Sequence, residues 1–164
     1  MKILTSVFFL FSMFVFGQKN YPIPEKTNNL LFYIQHSSNH NTFVYEYNPT
    51  SNTNPIKIYR INYEGKGEKN PLTAIQKKFA YGVVYSDHKN DQFMLVAKRD
   101  IPFTIKSSNN KYLVEIKLKN QIIIVDHIFL QIVKGTSGLK TKIDYMIIYG
   151  KNDKGKNIEE KIIP

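Results

Sequence analysis

Apolar and polar residues alternate along most of this chain with a period of two, the spacing of a half-buried β-strand. Leu30, Phe32 and Ile34 alternate with Leu31, Tyr33 and Gln35, and Thr42–Asn48 places Phe43, Tyr45 and Tyr47 on one face. The polar run His36–Asn41 between them reads as a hairpin turn, and Asn48–Pro55 as the next turn before a strand over Ile56–Tyr63. Strands resume at Val83–Tyr85 and Gln92–Lys98, separated by a turn over Asp87–Asp91, and again at Ile101, Phe103 and Ile105. After the turn Ser107–Asn110, Lys111–Lys119 is the clearest alternating segment, with Tyr112, Val114, Ile116 and Leu118 facing in. Asn120-Gln121 reads as a tight hairpin tip. Ile122–Val133 is apolar on both faces, which predicts a central strand with a bend near Asp126-His127. Ile143, Tyr145, Ile147 and Tyr149 form the face of a further strand, and Asn157–Ile163 pairs back across the turn Asn152–Gly155.

The period changes once. Asn70 suits a helix cap, Pro71 the first helical position and Gly82 the exit. Between them Leu72, Ile75 and Phe79 fall at helical spacing, with Lys77 and Lys78 outward. The pattern therefore predicts a mainly β fold: an antiparallel β-sandwich or barrel of about nine or ten short strands with one short helix.

The first residues read differently. Met1-Lys2, the apolar run Ile3–Phe16, and Val15 and Gly17 before Gln18 form the layout of a cleaved secretory signal. The expected organisation is a signal peptide over 1–17 and a single β domain over 18–164, exported to the periplasm or secreted. No second long apolar run follows, so no transmembrane span is expected after cleavage. Cysteine is absent, which excludes disulfides and zinc–thiolate sites. The chain has net charge +10; losing Lys2 leaves 22 basic against 13 acidic residues, or +9. That charge suits an anionic partner, and equally suits keeping strand edges soluble. The lysines are spread along the chain.

Candidate chemistry is sparse. No Gly-x-Ser-x-Gly elbow, phosphate-binding loop or calcium loop is present, so no catalytic residue, metal ligand or cofactor is assigned. His36 and His40 lie four apart in a polar turn without a third ligand nearby. Asp87-His88 and Asp126-His127 are sequence neighbours, which a regular strand points to opposite faces. Asp126 lies in an apolar strand and needs a partner, such as Arg60, Arg99 or a tyrosine hydroxyl. Aromatic and polar residues concentrate in Tyr59–Glu64 and Leu72–Gly82. If the helix lies across one end of the sheet, Arg60, Tyr63, Gln76 and Tyr81 converge there as a pocket for an anionic or amide-bearing ligand. The same residues can instead hydrogen-bond the helix to the sheet.

The segments Tyr33–Thr42, Val44–Asn48, Pro55-Ile56, Tyr59–Tyr63 and Leu72–Gly82, taken in order, resemble a family of small exported bacterial proteins labelled as domain of unknown function 4833. The resemblance covers nearly all of residues 18–164. It implies a bacterial envelope setting and one domain, and brings no activity, ligand or catalytic residue. The leading functional expectation is a non-enzymatic module that binds an apolar or anionic small molecule or an envelope component. Alternatives are an envelope hydrolase using dispersed residues such as Asp126, His127, Arg60 and Glu64, and a structural or adhesion subunit pairing through strand edges. Nucleic-acid binding is not expected, because no RNA-binding aromatic motif accompanies the charge.

Overall fold

The computed structural model describes residues 21–164 apart from Asn52, Lys66, Asp87 and His88. The apolar segment 1–17 and the Asp87-His88 pair lie outside the described residues. The strands are β1 (Leu30–His36), β2 (Thr42–Tyr47), β3 (Ile56–Ile61), β4 (Lys69–Pro71), β5 (Val83–Ser86), β6 (Lys89–Leu95), β7 (Lys98–Ser108), β8 (Lys111–Leu118), β9 (Gln121–Ile132), β10 (Ile143–Asn152) and β11 (Asn157–Ile162). Between β4 and β5 lies α1 (Ala74–Gln76), which continues as a wider π-helical turn over Lys77–Tyr81.

All eleven strands join one sheet, which curls into a half-barrel. Strand β9 organises it. One edge of β9 pairs with β10, which carries β11 beyond it. The other edge is shared. Gln121–Ile124 pairs with β8, whereas His127–Leu130 pairs with β1. Two wings therefore leave the same edge: β1-β2-β3-β4 and β8-β7-β6-β5. Their inner faces meet through stacked rings. Phe32 of β1 lies 4.4 Å from Tyr45, 5.4 Å from Phe103 and 6.3 Å from Phe93, centroid to centroid. These four rings are fully buried, with Ile34, Phe43, Val114, Ile123, Ile128 and Ile148 around them. Each such side chain contributes roughly 1.5–3 kcal/mol through its removal from water.

The β1–β9 pair is parallel, so the sheet is mixed where an antiparallel one was expected. Alternation reports which face a residue occupies and is silent on the direction of a partner some 90 residues away. The expected strand 92–98 is also broken, by a turn at Val96-Ala97 that carries no glycine, proline or asparagine. The hairpin tip expected at Asn120-Gln121 sits one residue earlier, where Lys119 and Asn120 both take positive φ (47° and 65°).

The helix begins later than its expected Asn70-Pro71 start. Those residues pair with Arg60 and Tyr59 as the edge strand β4, where proline is tolerated. The cap is Thr73, whose hydroxyl accepts from the Gln76 backbone while the Gln76 side chain accepts from Thr73 N–H. Gly82 does end the helix, in an extended conformation (φ −68°). Any Cβ there would lie 1.9 Å from the Lys77 carbonyl oxygen. Leu72, just before the cap, and Tyr81, the last residue of the π turn, reach the core, whereas Ile75 and Phe79, expected inward, are 60% and 54% exposed.

Candidate functional site

Among the described residues the buried polar or charged residues are Gln35, His36 and Thr42. All three lie where β1 ends and β2 begins. Burying polar groups costs free energy unless they are hydrogen-bonded, so their concentration at one end marks a place where the fold fixes geometry. Gln35 and Thr42 face each other across the β1–β2 ladder, and Gln35 Nε2 donates to Thr42 Oγ1 at 3.2 Å. Both also donate to the carbonyl of Pro22, Gln35 at 3.3 Å and Thr42 more closely. The segment 21–25 is thereby clamped against the outer face of the first wing.

That segment walls a cleft of about 420 Å³ lined by Pro22, Ile23, Glu25, Ile61, Asn62, Tyr63, Gly67 and Lys69. The size is within the range of small-molecule sites. Its rim is tied by side chains. Asn41 Oδ1 accepts from Tyr63 N–H at 2.9 Å, joining the β1–β2 turn to the β3–β4 turn. His40, held at φ 55°, packs edge-on between Tyr21 (5.2 Å) and Tyr63 (5.5 Å), and Tyr21 continues to Phe129 at 6.0 Å. Lys69 Nζ stands 5.0 Å above the Tyr59 ring. Tyr59 donates to Glu46 at 2.8 Å; burial, that carboxylate and the Glu25 charge push its hydroxyl pKa well up. Among the described residues the cleft therefore combines an apolar and aromatic body with the Lys69 cation and the Glu25 carboxylate.

The inner face of the same wing carries a second cluster. Ile34, Phe43, Arg60 and Asn70 are cross-strand neighbours in one row. Tyr81 stacks on Phe43 at 3.5 Å, and its hydroxyl lies 2.8 Å from His36 Nε2. His36 Nδ1 is 2.9 Å from Ser38 Oγ. Burial and the neighbouring His40 hold His36 down at about 4, so the ring is neutral near pH 7. Burial keeps the Tyr81 phenol protonated, opposed only by the Arg60 charge. Arg60 Nε and Asn70 Nδ2 are buried donors with no acceptor among the described residues.

The four residues expected to converge are thus distributed. Arg60 and Tyr81 come together on the inner face. Tyr63 lines the cleft on the outer face, and Gln76 is engaged in the helix cap. Lys69, Glu25 and the clamp Gln35–Thr42–Pro22 were not singled out from sequence. Nothing local signals that two strand residues will hold a proline carbonyl from the lead-in.

A third group sits on the outer face of β9. Gly150 pairs with Val125 while Tyr149 pairs with His127, leaving Asp126 as the extra residue of a β-bulge. The bulge breaks the alternation that would separate Asp126 from His127, and Asp126 Oδ2 lies 2.8 Å from His127 Nδ1. That bond, with help from Lys26 and Lys111, lowers the Asp126 pKa against its partial burial. His127 is sandwiched between Tyr33 (5.0 Å) and Tyr149 (4.4 Å), all three rings nearly parallel. Arg60 faces the opposite side of the sheet, and Glu64 is exposed in the β3–β4 turn.

Among the described residues no group of three or more His, Cys, Asp or Glu side chains is placed to hold a metal ion. No helix among them is long and apolar enough to cross a membrane. A family model described as Domain of unknown function (DUF4833) matches residues 32–161. No curated protein and no solved structure matches the chain.

Proposed function

The chain belongs to the DUF4833 family, and from that premise we propose that it is an exported, non-enzymatic binding module whose ligand occupies the cleft beside Tyr63. The observation that carries this reading is the clamp. Two of the three buried polar side chains are used to fix one wall of that cleft through the Pro22 carbonyl. A prebuilt wall lowers the ordering cost of binding. The ligand class that fits is a small organic molecule with an apolar body and one anionic group. Ile23, Ile61 and Tyr63 would cover the body, Lys69 would meet the anion, and Glu25 or Asn62 would accept from a hydroxyl or amine. Export, to the periplasm or the medium, rests on the charge and apolar pattern of residues 1–17.

Native mass spectrometry of the protein isolated from its own cell envelope tests the reading. A discrete adduct in the wild type that disappears in Lys69→Gln and Tyr63→Ala supports it. A single bare mass for all three proteins overturns it. The hydrolase alternative is less well supported, because Arg60 lies on the face opposite Asp126 and His127.

A further inference from the structure

The helix between β4 and β5 has an unusual outer surface. Ile75 and Phe79, four apart and on one side, are 60% and 54% exposed. A helix docked on a sheet ordinarily buries its largest apolar residues. Here Leu72, before the helix cap, and Tyr81, at the helix end, make the core contacts, and these two are left out. Lys77 and Lys78 flank them, and Lys78 Nζ lies 5.3 Å over the Phe79 ring. No Asp or Glu occurs from Lys69 to Ser86. The patch is thus two exposed apolar side chains among cations in an acid-free stretch of a chain with net charge +10.

We propose that this helix is a docking element for an anionic lipid surface, with Ile75 and Phe79 entering the interface and Lys77 and Lys78 meeting the headgroups. Charge and size both favour a bilayer over a protein groove. A stable protein interface buries roughly 800 Å² on each partner, far more than two side chains present. A bilayer accepts a shallow apolar insertion of any outline, and long lysine stems let the ammonium groups reach the headgroup plane. The proposal is independent of the cleft, and each can fail without the other.

The chain contains no tryptophan, so Phe79→Trp places the sole indole in the patch, read above the tyrosine emission by selective excitation. Because Ile3–Phe16 is itself apolar and would bind vesicles of either kind wherever it is retained, the readout must be local to the patch. The F79W emission is recorded with vesicles of phosphatidylcholine alone and of phosphatidylcholine mixed with phosphatidylglycerol. The expected result is a blue shift, and quenching by brominated lipid, only with the anionic vesicles, reversed by high salt. Adding Lys77→Glu and Lys78→Glu should lower the engaged fraction relative to the free fraction about 25-fold, about fivefold per lysine removed, before any added repulsion. An unshifted emission on anionic vesicles overturns the proposal, as does an equal shift on neutral ones. A shift that grows with protein concentration in the absence of vesicles also overturns it, by showing that a second copy covers the patch.

Discussion

Lowering the pH should weaken this fold through His36 in a way that a single substitution isolates. The imidazole is buried beside the stacked Phe43–Tyr81 pair, with both nitrogens in contact with hydroxyls, and burial and His40 push its pKa down to about 4 against 6.5 for the free side chain. The folded state thus refuses a proton that the unfolded chain accepts. Above about pH 6.5 both states are neutral at this position and the contribution to stability is complete. As pH falls from there towards 4 the unfolded chain gains the proton first, and stability drops by roughly 1.4 kcal/mol per pH unit. The total loss is about 3 kcal/mol, and below pH 4 this group costs nothing further. The assay is urea denaturation at intervals between about pH 7 and 4 on the wild type and on His36→Gln. Glutamine can still meet the Tyr81 hydroxyl but cannot titrate. Carboxylates affect both proteins alike, so the difference between the curves reports His36. The wild type should lose about 3 kcal/mol more than the variant over this range. Parallel curves would refute the argument.

Three other outcomes follow from particular contacts. Gly150→Ala would set a Cβ 2.1 Å from the Ile124 carbonyl oxygen at the β9–β10 bulge, so urea denaturation should show a loss of about 3 kcal/mol or more. Thr73→Ala removes the helix cap and should cost about 1 kcal/mol by the same method, while leaving the native-mass adduct intact because neither Thr73 nor Gln76 lines the cleft. Phe103→Ala empties the ring stack between the wings and should cost about 3–5 kcal/mol, with calorimetry showing a correspondingly lower melting temperature.

The strand content was legible because most strands bury one face, and a period of two records that directly. Tyr112–Leu118 and Ile143–Tyr149 are plain examples. The helix was legible as a change of period but misplaced. Asn70-Pro71 satisfies a helix start and an edge strand equally well, and the pairing with Arg60 and Tyr59 decides between them. The stronger signal was Thr73 followed three residues later by Gln76. The inward assignment of Ile75 and Phe79 assumed a helix running from Asn70, whereas the helix starts after Thr73 and its core contacts come from Leu72 before the cap and Tyr81 at the end. Composition singled out Arg60, Tyr63, Gln76 and Tyr81 as one group. The division of Arg60 and Tyr63 between two faces follows from strand register, which composition does not contain. The Asp126–His127 contact was hidden for a related reason: one extra residue reverses the face of everything beside it. The partner of β1 was beyond reach, since a parallel pairing across most of the chain leaves no local trace.

The shared edge of β9 has a kinetic consequence. While the chain is emerging, β1 can pair with β2 at once, yet its other edge has no partner until residues 127–130 arrive. Closing that contact joins segments separated by most of the sequence, so relative contact order is high and folding belongs in the millisecond-to-second regime of non-local β-proteins. Throughout that interval β1 offers an open apolar edge, the template on which misassembly between chains begins. Truncation before about residue 132 would make the interval permanent, and a fragment carrying only the first wing should aggregate rather than persist as a smaller domain.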